Sequence, residues 1–245
     1  MRLEAGMVVR DTDLSQLDFT DADLSAACFE ECMLIDAKLT GTCFDSARFV
    51  RCRFIRLRMA NCDLRDAVLT DCSFADDQGY SGAQFAFTRL EQTRFSGCDL
   101  SFASFDRSNL FGLDMERCNL RGAAFAKVDF GRTFGSKLTK WAGKLRSCNL
   151  ELTDMIDIRM PDCDLSGSKL REAVLEGADL EGADLRGCDL VQALTAGARL
   201  ARADMRGADL AGLDLTKLGS REGMMVSADQ QFQLLQAMGL DVCPD

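Results

Sequence analysis

A large apolar residue recurs at every fifth position over most of the chain, and this period constrains the fold more than any other feature. The first run consists of Leu14, Phe19, Leu24, Phe29, Leu34, Leu39, Phe44, Phe49, Phe54, Met59, Leu64, Leu69 and Phe74. The period resumes one residue out of step at Phe85, continues to Phe130, returns at Leu145 and ends at Leu215. A short repeat sustained in this way is typical of a chain built from stacked, similar units.

The five-residue period fits neither a helix nor a simple strand. Strand side chains repeat every two residues and helical ones every 3.6, so five helical residues turn a side chain by about 140°. Two positions before each five-spaced residue there is usually a small residue, Ala or Cys, as on one side of an extended segment. Gly often follows two positions later, as at Gly41 and Gly182, where a tight turn can use its positive φ. Each unit therefore predicts one short side and one corner of an all-β solenoid.

Units such as Ala178–Gly182 and Ala208–Gly212 resemble the A-(D/N)-L-x-x repeat of the pentapeptide-repeat family. The resemblance implies a right-handed, quadrilateral β-helix with four pentapeptides in each coil. It covers about residues 9–218 and leaves two interruptions and a C-terminal α-helix outside the repeat. Because the period is even on both sides of each interruption, we expect residues 1–245 to form a single domain.

Cysteine is abundant and histidine is absent. Cysteines at the small, inward position are Cys32, Cys52, Cys62, Cys72, Cys98, Cys118, Cys148, Cys163 and Cys188. Because Cys32, Cys52 and Cys72 are evenly spaced by four units, they should stack in successive coils as reduced core thiols. Disulfides or a metal are the alternative, but the chain has neither His nor a CxxC motif. Repeated outward carboxylates are expected to be solvated rather than catalytic, so we predict no enzymatic activity, cofactor or metal.

The formal net charge of −10 and the pI near 4.7 disfavour direct nucleic-acid binding. The sequence shows neither a basic–apolar leader at its start nor an apolar run long enough to span a membrane. A cytoplasmic protein without membrane contact is therefore the expectation, and an acidic rod of this kind could instead bind a protein that normally binds DNA.

The repeat is interrupted twice, at about residues 75–82 and 131–144. The second interruption contains the single Trp of the chain and a local excess of positive charge. Interruptions of a solenoid often form its binding face, although a tolerated insertion is the alternative interpretation. The candidate partner-binding residues of the two loops are Asp76, Asp77, Tyr80, Arg132, Thr133, Phe134, Lys137, Lys140 and Trp141.

A capping and dimerisation helix is predicted at about residues 227–239. Ser227 and Gln230 have the spacing of a capping box, and Gly239 suits the end of the helix. The helix would cover the open end of the solenoid with part of its apolar surface. The rest would form a homodimer interface through Phe232, Leu235, Met238 and Leu240.

Within the family, the segment Cys98–Phe125 and the positions of both interruptions resemble the Qnr quinolone-resistance proteins. The stretch Arg132-Thr133-Phe134 is similar to part of the larger Qnr loop, and Asp229–Leu240 resembles the Qnr dimerisation end. The resemblance implies a rod-shaped homodimer that binds DNA gyrase and topoisomerase IV and protects them from quinolones or other poisons. Relatives of the MfpA type are described as DNA mimics. The chain differs by extra coils before the first loop and by a longer second loop.

Two hypotheses for the function follow. The first is a non-enzymatic, DNA-mimicking protein that protects a bacterial type II topoisomerase, and the second is a structural or adaptor solenoid without that role. About ten coils would form a rod of roughly 45–50 Å. Duplex DNA of this length carries on the order of 28 charges. Because the net charge of the chain is only −10, the loops must supply part of any affinity for a topoisomerase.

Overall fold

A computed structural model describes residues 3–76, 81–135 and 138–240. The chain winds into a four-sided parallel β-helix in which each segment lies beside the one 20 residues further on. The strands are β1 (Val8–Arg10), β2 (Cys28–Glu30), β3 (Met33–Ile35), β4 (Lys38–Thr40), β5 (Arg48–Val50), β6 (Arg53–Ile55), β7 (Arg58–Ala60), β8 (Val68–Thr70), β9 (Gln84–Ala86), β10 (Arg94–Ser96), β11 (Leu113–Glu116), β12 (Gly131–Phe134), β13 (Leu138–Trp141) and β14 (Gly143–Arg146). The predicted quadrilateral β-helix is confirmed.

The four sides of each coil stack into four faces. The first face contains the seven-stranded sheet β1-β2-β5-β8-β10-β11-β14. The second face contains β3 and β6, and the third contains β4, β7 and β9. The fourth face is a column of parallel bridges, such as Asp63 with Arg89 and Asn109 with Asp129. The chain visits the faces in this order in every coil, so each corner joins the same two faces along the whole rod.

The five-spaced residues fill the interior, as the period predicts. Leu100, Phe105 and Leu110 have no exposed surface. Phenylalanines stack along the axis, and the ring centroids of Phe85 and Phe105 are 5.0 Å apart at an angle of 4°. Burying a side chain of this kind is worth about 1.5–3 kcal/mol, so the column is the main source of stability.

A ladder of thiols runs beside this column, as the cysteine spacing predicts. Its consecutive members are Cys32, Cys52, Cys72, Cys98, Cys118 and Cys148. The Cys52 Sγ donates to the carbonyl of Phe29 in the preceding coil over 3.4 Å, and the Cys98 Sγ donates to Leu69 in the same way. Burial raises the pKa of Cys163 and Cys188 to about 12, so these thiols stay protonated. In the described part of the chain all cysteines are free.

The two interruptions leave the rod at diagonally opposite corners. The first lies between the second and third faces and lengthens its coil to 26 residues. The second lies between the fourth and first faces and lengthens its coil to 30 residues. One flat surface of a partner therefore cannot meet both interruptions at once.

The rod ends in short helical segments. A 3₁₀ turn, Leu215–Lys217, adds one residue to the last coil, so that Arg199 pairs with Ser220. A second 3₁₀ turn, Ala228–Gln230, leads into the α-helix α1 (Gln231–Ala237). None of the helices in the described ranges is long and apolar enough to cross a membrane.

Candidate partner-binding sites

The second interruption is a β-hairpin, which the sequence analysis did not predict. Strands β12 and β13 pair antiparallel, with Gly131 opposite Trp141 and Phe134 opposite Leu138. The sequence does contain a hairpin signal, because segments with β-branched and aromatic residues flank Gly135 on both sides. In the structure Gly135 has a φ of +63°. The hairpin projects the interruption away from the coil as an ordered element.

One side of the hairpin packs on the fourth face of the rod. The rings of Phe134 and Phe111 meet edge-on with their centroids 6.2 Å apart. The Arg132 guanidinium carbon lies 5.8 Å from the Phe111 centroid and 5.4 Å from that of Phe134. Phe111 is buried, whereas Phe134 and Leu138 remain 44% and 53% exposed. This side is therefore anchored to the rod and still offers apolar surface to a partner.

The other side of the hairpin borders a cleft of about 530 Å³. Thr133 and Thr139 face each other across the strands with their hydroxyl oxygens 3.1 Å apart. Trp141 is half-buried, and the Arg159 guanidinium carbon lies 4.6 Å from the centroid of its ring. Arg159 was not among the predicted site residues, because it belongs to the next coil and only the fold brings it to Trp141.

Beside this cleft, the parallel hydrogen bonding between neighbouring coils of the fourth face is interrupted. Along this face the amide of Leu110 donates to the carbonyl of Asp129 over 2.7 Å, and the amide of Met160 donates to Asp179 over 2.8 Å. Within the described ranges, the equivalent bond from the Phe130 amide to the Arg159 carbonyl is missing. A second cleft of about 440 Å³, between Lys127 and Asp157, lies along the same opening. The hairpin thus lies over a gap in the hydrogen bonding between two coils, at Phe130 and Arg159, which we call the seam.

This seam has an expected signature in hydrogen exchange. The amides of Phe130 and Arg159 should exchange faster than those of Leu110 and Met160, because they lack the bond that protects the others. Amide exchange followed by NMR or by mass spectrometry of short peptides measures the difference. Equal protection of all four amides would contradict an open seam.

The first interruption is closed at its base. The Asp76 amide donates to the Ser81 carbonyl over 3.0 Å, and the Ser81 hydroxyl donates to the Asp76 carboxylate over 2.8 Å. After this base, the backbone at Gly82 packs against the next coil. A Cβ at position 82 would lie only 2.4 Å from the Ala103 nitrogen, so a larger residue does not fit there. Asp77 and Tyr80, which the sequence analysis placed in this site, lie outside the described residues.

The C-terminal helix is tied to the last coil by Gln230, a role that the sequence analysis missed. Its buried amide nitrogen donates to the carbonyls of Met205 and Ala208 over 2.8 and 2.7 Å. Its side-chain oxygen accepts from the Ser227 amide, which completes the predicted capping box. Leu234 packs partly against the core. The exposed apolar residues at this end are Phe232, Leu235, Met238 and Leu240.

The predicted site residues fall into three separate places. Arg132, Thr133, Phe134, Lys140 and Trp141 share the hairpin, although its two sides separate them. Lys137 lies outside the described residues. The base of the first loop is on the diagonally opposite corner, and the apolar helix residues are at the end of the rod.

Arginine neutralises much of the acidic charge on the faces. Arg186 lies 2.5 Å from Asp184, and Arg206 lies 2.6 Å from Asp204. Hydrogen bonds from these guanidinium groups hold the pKa of both carboxyls below the usual range. The surface is therefore less uniformly negative than the net charge implies.

The geometry defines a non-globular scaffold, a pentapeptide solenoid with one projecting hairpin, and comparison with known proteins gives its family. The pentapeptide repeat model matches residues 7–34, 32–71, 81–115, 98–133, 159–194 and 183–217. These segments cover more than half of the chain, which therefore belongs to the pentapeptide-repeat family.

Within this family the expected resemblance to Qnr proteins is confirmed. The chain is 24% identical over 132 residues to the pentapeptide repeat protein QnrB4 of Escherichia coli, covering 52% of this chain and 61% of that protein. It is also 24% identical over 128 residues to the quinolone resistance pentapeptide repeat protein QnrB96 of Scandinavium goeteborgense, covering 52% and 58%. Each match therefore spans about three fifths of the relative.

A solved structure of QnrB1, a plasmid-mediated fluoroquinolone resistance protein, has the same fold. It superposes with a TM-score of 0.70 at 20% identity, covering 97% of this chain and 99% of that chain.

Proposed function

We propose that the chain binds DNA gyrase, and also topoisomerase IV, and protects these enzymes from quinolones or related poisons without catalysing a reaction. The observation that carries the proposal is the hairpin, an anchored element with an exposed aromatic ring, on a rod with the fold of QnrB1. Aromatic and Arg side chains are favoured at the centres of protein interfaces. The proposed loop contacts are Asp76, Asp77, Tyr80, Arg132, Thr133, Phe134, Lys137, Lys140 and Trp141.

Duplex mimicry contributes only part of the proposed binding. The net charge is about a third of that of DNA of equal length, and pairs such as Asp184 with Arg186 neutralise some of the carboxylates. The rod would therefore supply shape and selected acidic patches, while the hairpin supplies specific contacts. The acidic part should weaken with salt, because surface charges are screened beyond about 8–10 Å.

A supercoiling assay tests the function. Purified protein is titrated into gyrase held at a quinolone concentration that halves its activity. Recovery of supercoiling with increasing protein supports protection. Absence of both recovery and binding, with gyrase and topoisomerase IV from several bacteria, would favour an adaptor solenoid without a topoisomerase role.

The proposal includes a cytoplasmic homodimer in which each chain is one domain. Exposed Phe232, Leu235, Met238 and Leu240, together with Met225 on the last coil, make an apolar end that one solvated helix would rarely carry. A two-fold contact between two such ends would bury this surface and double the rod.

Replacing Leu235 and Met238 by Ser should convert this dimer into a monomer, because both side chains would lie at its centre. Light scattering at micromolar concentration should give twice 26.9 kDa for the unaltered chain and 26.9 kDa for the variant. Val8→Ser is the matched control, since Val8 is 63% exposed at the other end. A monomeric unaltered protein would refute the dimer.

A further inference from the structure

The third face of the rod carries an unpartnered apolar surface in its C-terminal half. Ile156 and Leu194 are 47% and 52% exposed, and Leu152 is 43% exposed at the edge of this face. Val174 lies between Asp154 and Leu194 in the same column of parallel bridges. We call Leu152, Asp154, Ile156, Asp157, Val174, Glu176 and Leu194 the third-face patch.

The charge of this patch has one sign. The outward positions of the third face contain no Lys or Arg between Lys127 and Lys217, but they contain Asp154, Asp157 and Glu176. Within the described ranges these carboxylates form no ion pair.

The other faces of the same coils differ in this respect. On the first face Arg186 pairs with Asp184 at 2.5 Å, and on the second face Arg171 pairs with Asp189 at 2.8 Å. On the fourth face Arg199 lies between Asp179 and Glu181. The third face is thus the one face of these coils without a cation at its outward positions between Lys127 and Lys217, and its carboxylates adjoin exposed apolar side chains.

The pairing of neighbouring coils brings two carboxylates of the patch close together. Adjacent coils are about 4.8 Å apart, and the Asp157 amide donates to the Glu176 carbonyl over 2.9 Å, so these two like charges lie diagonally on neighbouring coils and repel each other. A partner surface with cations among apolar side chains would have two effects. Its cations would relieve the repulsion between the carboxylates, and its apolar side chains would cover the exposed apolar area. Duplex DNA or an anionic membrane would instead add negative charge and is disfavoured.

We propose that the third-face patch binds a protein surface that carries Lys or Arg among apolar side chains. The inference rests on the proposed function, in which that surface belongs to the type II topoisomerase. The patch lies next to the corner that bears the first loop, about three coils or roughly 14 Å further along the rod. A partner that covers the patch can therefore also reach the first loop, whereas the hairpin leaves the rod at the diagonally opposite corner.

Charge reversal within the patch tests this inference. Asp154→Lys combined with Leu194→Ser should weaken binding of purified gyrase at least about tenfold, the loss typical of two central contacts. The variant should also show a shallower dependence of binding on salt. Glu176→Lys, as a second variant, should weaken binding in the same direction. Binding is measured by biolayer interferometry, and circular dichroism confirms that each variant is folded.

Asp164→Lys on the first face is the matched control. Asp164 accepts the amide of Ser166 over 3.0 Å, as Asp154 accepts the amide of Ile156 over 3.2 Å, so both substitutions remove the same kind of backbone bond. The control should bind within about twofold of the unaltered protein. Equal binding by the patch variants overturns the inference and leaves the proposed function standing. Failure of the unaltered protein to bind overturns both.

Discussion

Replacing Leu100 by Asp should unfold the protein. Leu100 has no exposed surface, and its side chain lies in the column of apolar residues at the centre of the coil. A carboxylate there has no cation and no room for water, so the substitution should cost at least ~4 kcal/mol. Since domains are stable by only about 5–15 kcal/mol, we expect an absent or strongly lowered thermal transition by circular dichroism.

Ala126→Asp provides the control for this experiment. Ala126 is exposed on the third face, so the same charge is added to water rather than to the core. Its melting temperature should stay within about 2 °C of the unaltered protein, as for most surface substitutions. An unchanged melting temperature for Leu100→Asp would show that the five-spaced residues do not form the core.

Two glycines in place of residues 132–140 should abolish protection of gyrase and leave the coil intact. Gly131 and Trp141 pair across the base of the hairpin, so a two-residue turn can join them. The replacement removes the edge-on packing of the Phe134 ring against Phe111, which is worth about 1 kcal/mol. The melting temperature should therefore fall by no more than about 4 °C.

Point variants separate the roles of the two sides of this hairpin. Phe134→Ala should remove most of the protection if the exposed ring contacts gyrase, whereas Thr139→Ala on the opposite side should retain it. Full protection by the protein with the two-glycine turn would exclude the hairpin as the contact element.

The coil was predictable because it depends on a pattern that is local in sequence. A five-residue period with small residues at the second inward position fits one side and one corner of a β-solenoid and fits neither a helix nor a flat sheet, and the resemblance to pentapeptide repeats implies four sides in each coil. The stacking of Cys32, Cys52 and Cys72 follows from the same spacing. The exposed helix residues Phe232 and Met238 were also predictable, because amphipathic spacing is local.

The features that were missed depend on which coils become neighbours. Arg159 meets Trp141 only because the second interruption lengthens its coil to 30 residues. The open seam at Phe130 arises where the hairpin leaves the rod, and no residue pattern marks it. The third-face patch was missed because the net charge of the chain does not show how the charges are distributed among the faces. Cations pair with carboxylates on the other faces, whereas the outward positions of the third face between Lys127 and Lys217 have carboxylates but no cations.

DNA cleavage by gyrase tests the central claim most directly. Gyrase and supercoiled plasmid are incubated with a quinolone, and the linear DNA released from the trapped complex is measured as the purified protein is added. Protection predicts that linear DNA falls progressively with the unaltered protein and stays constant with the protein that has two glycines in place of residues 132–140. A constant amount of linear DNA at concentrations of unaltered protein well above that of gyrase would contradict the account.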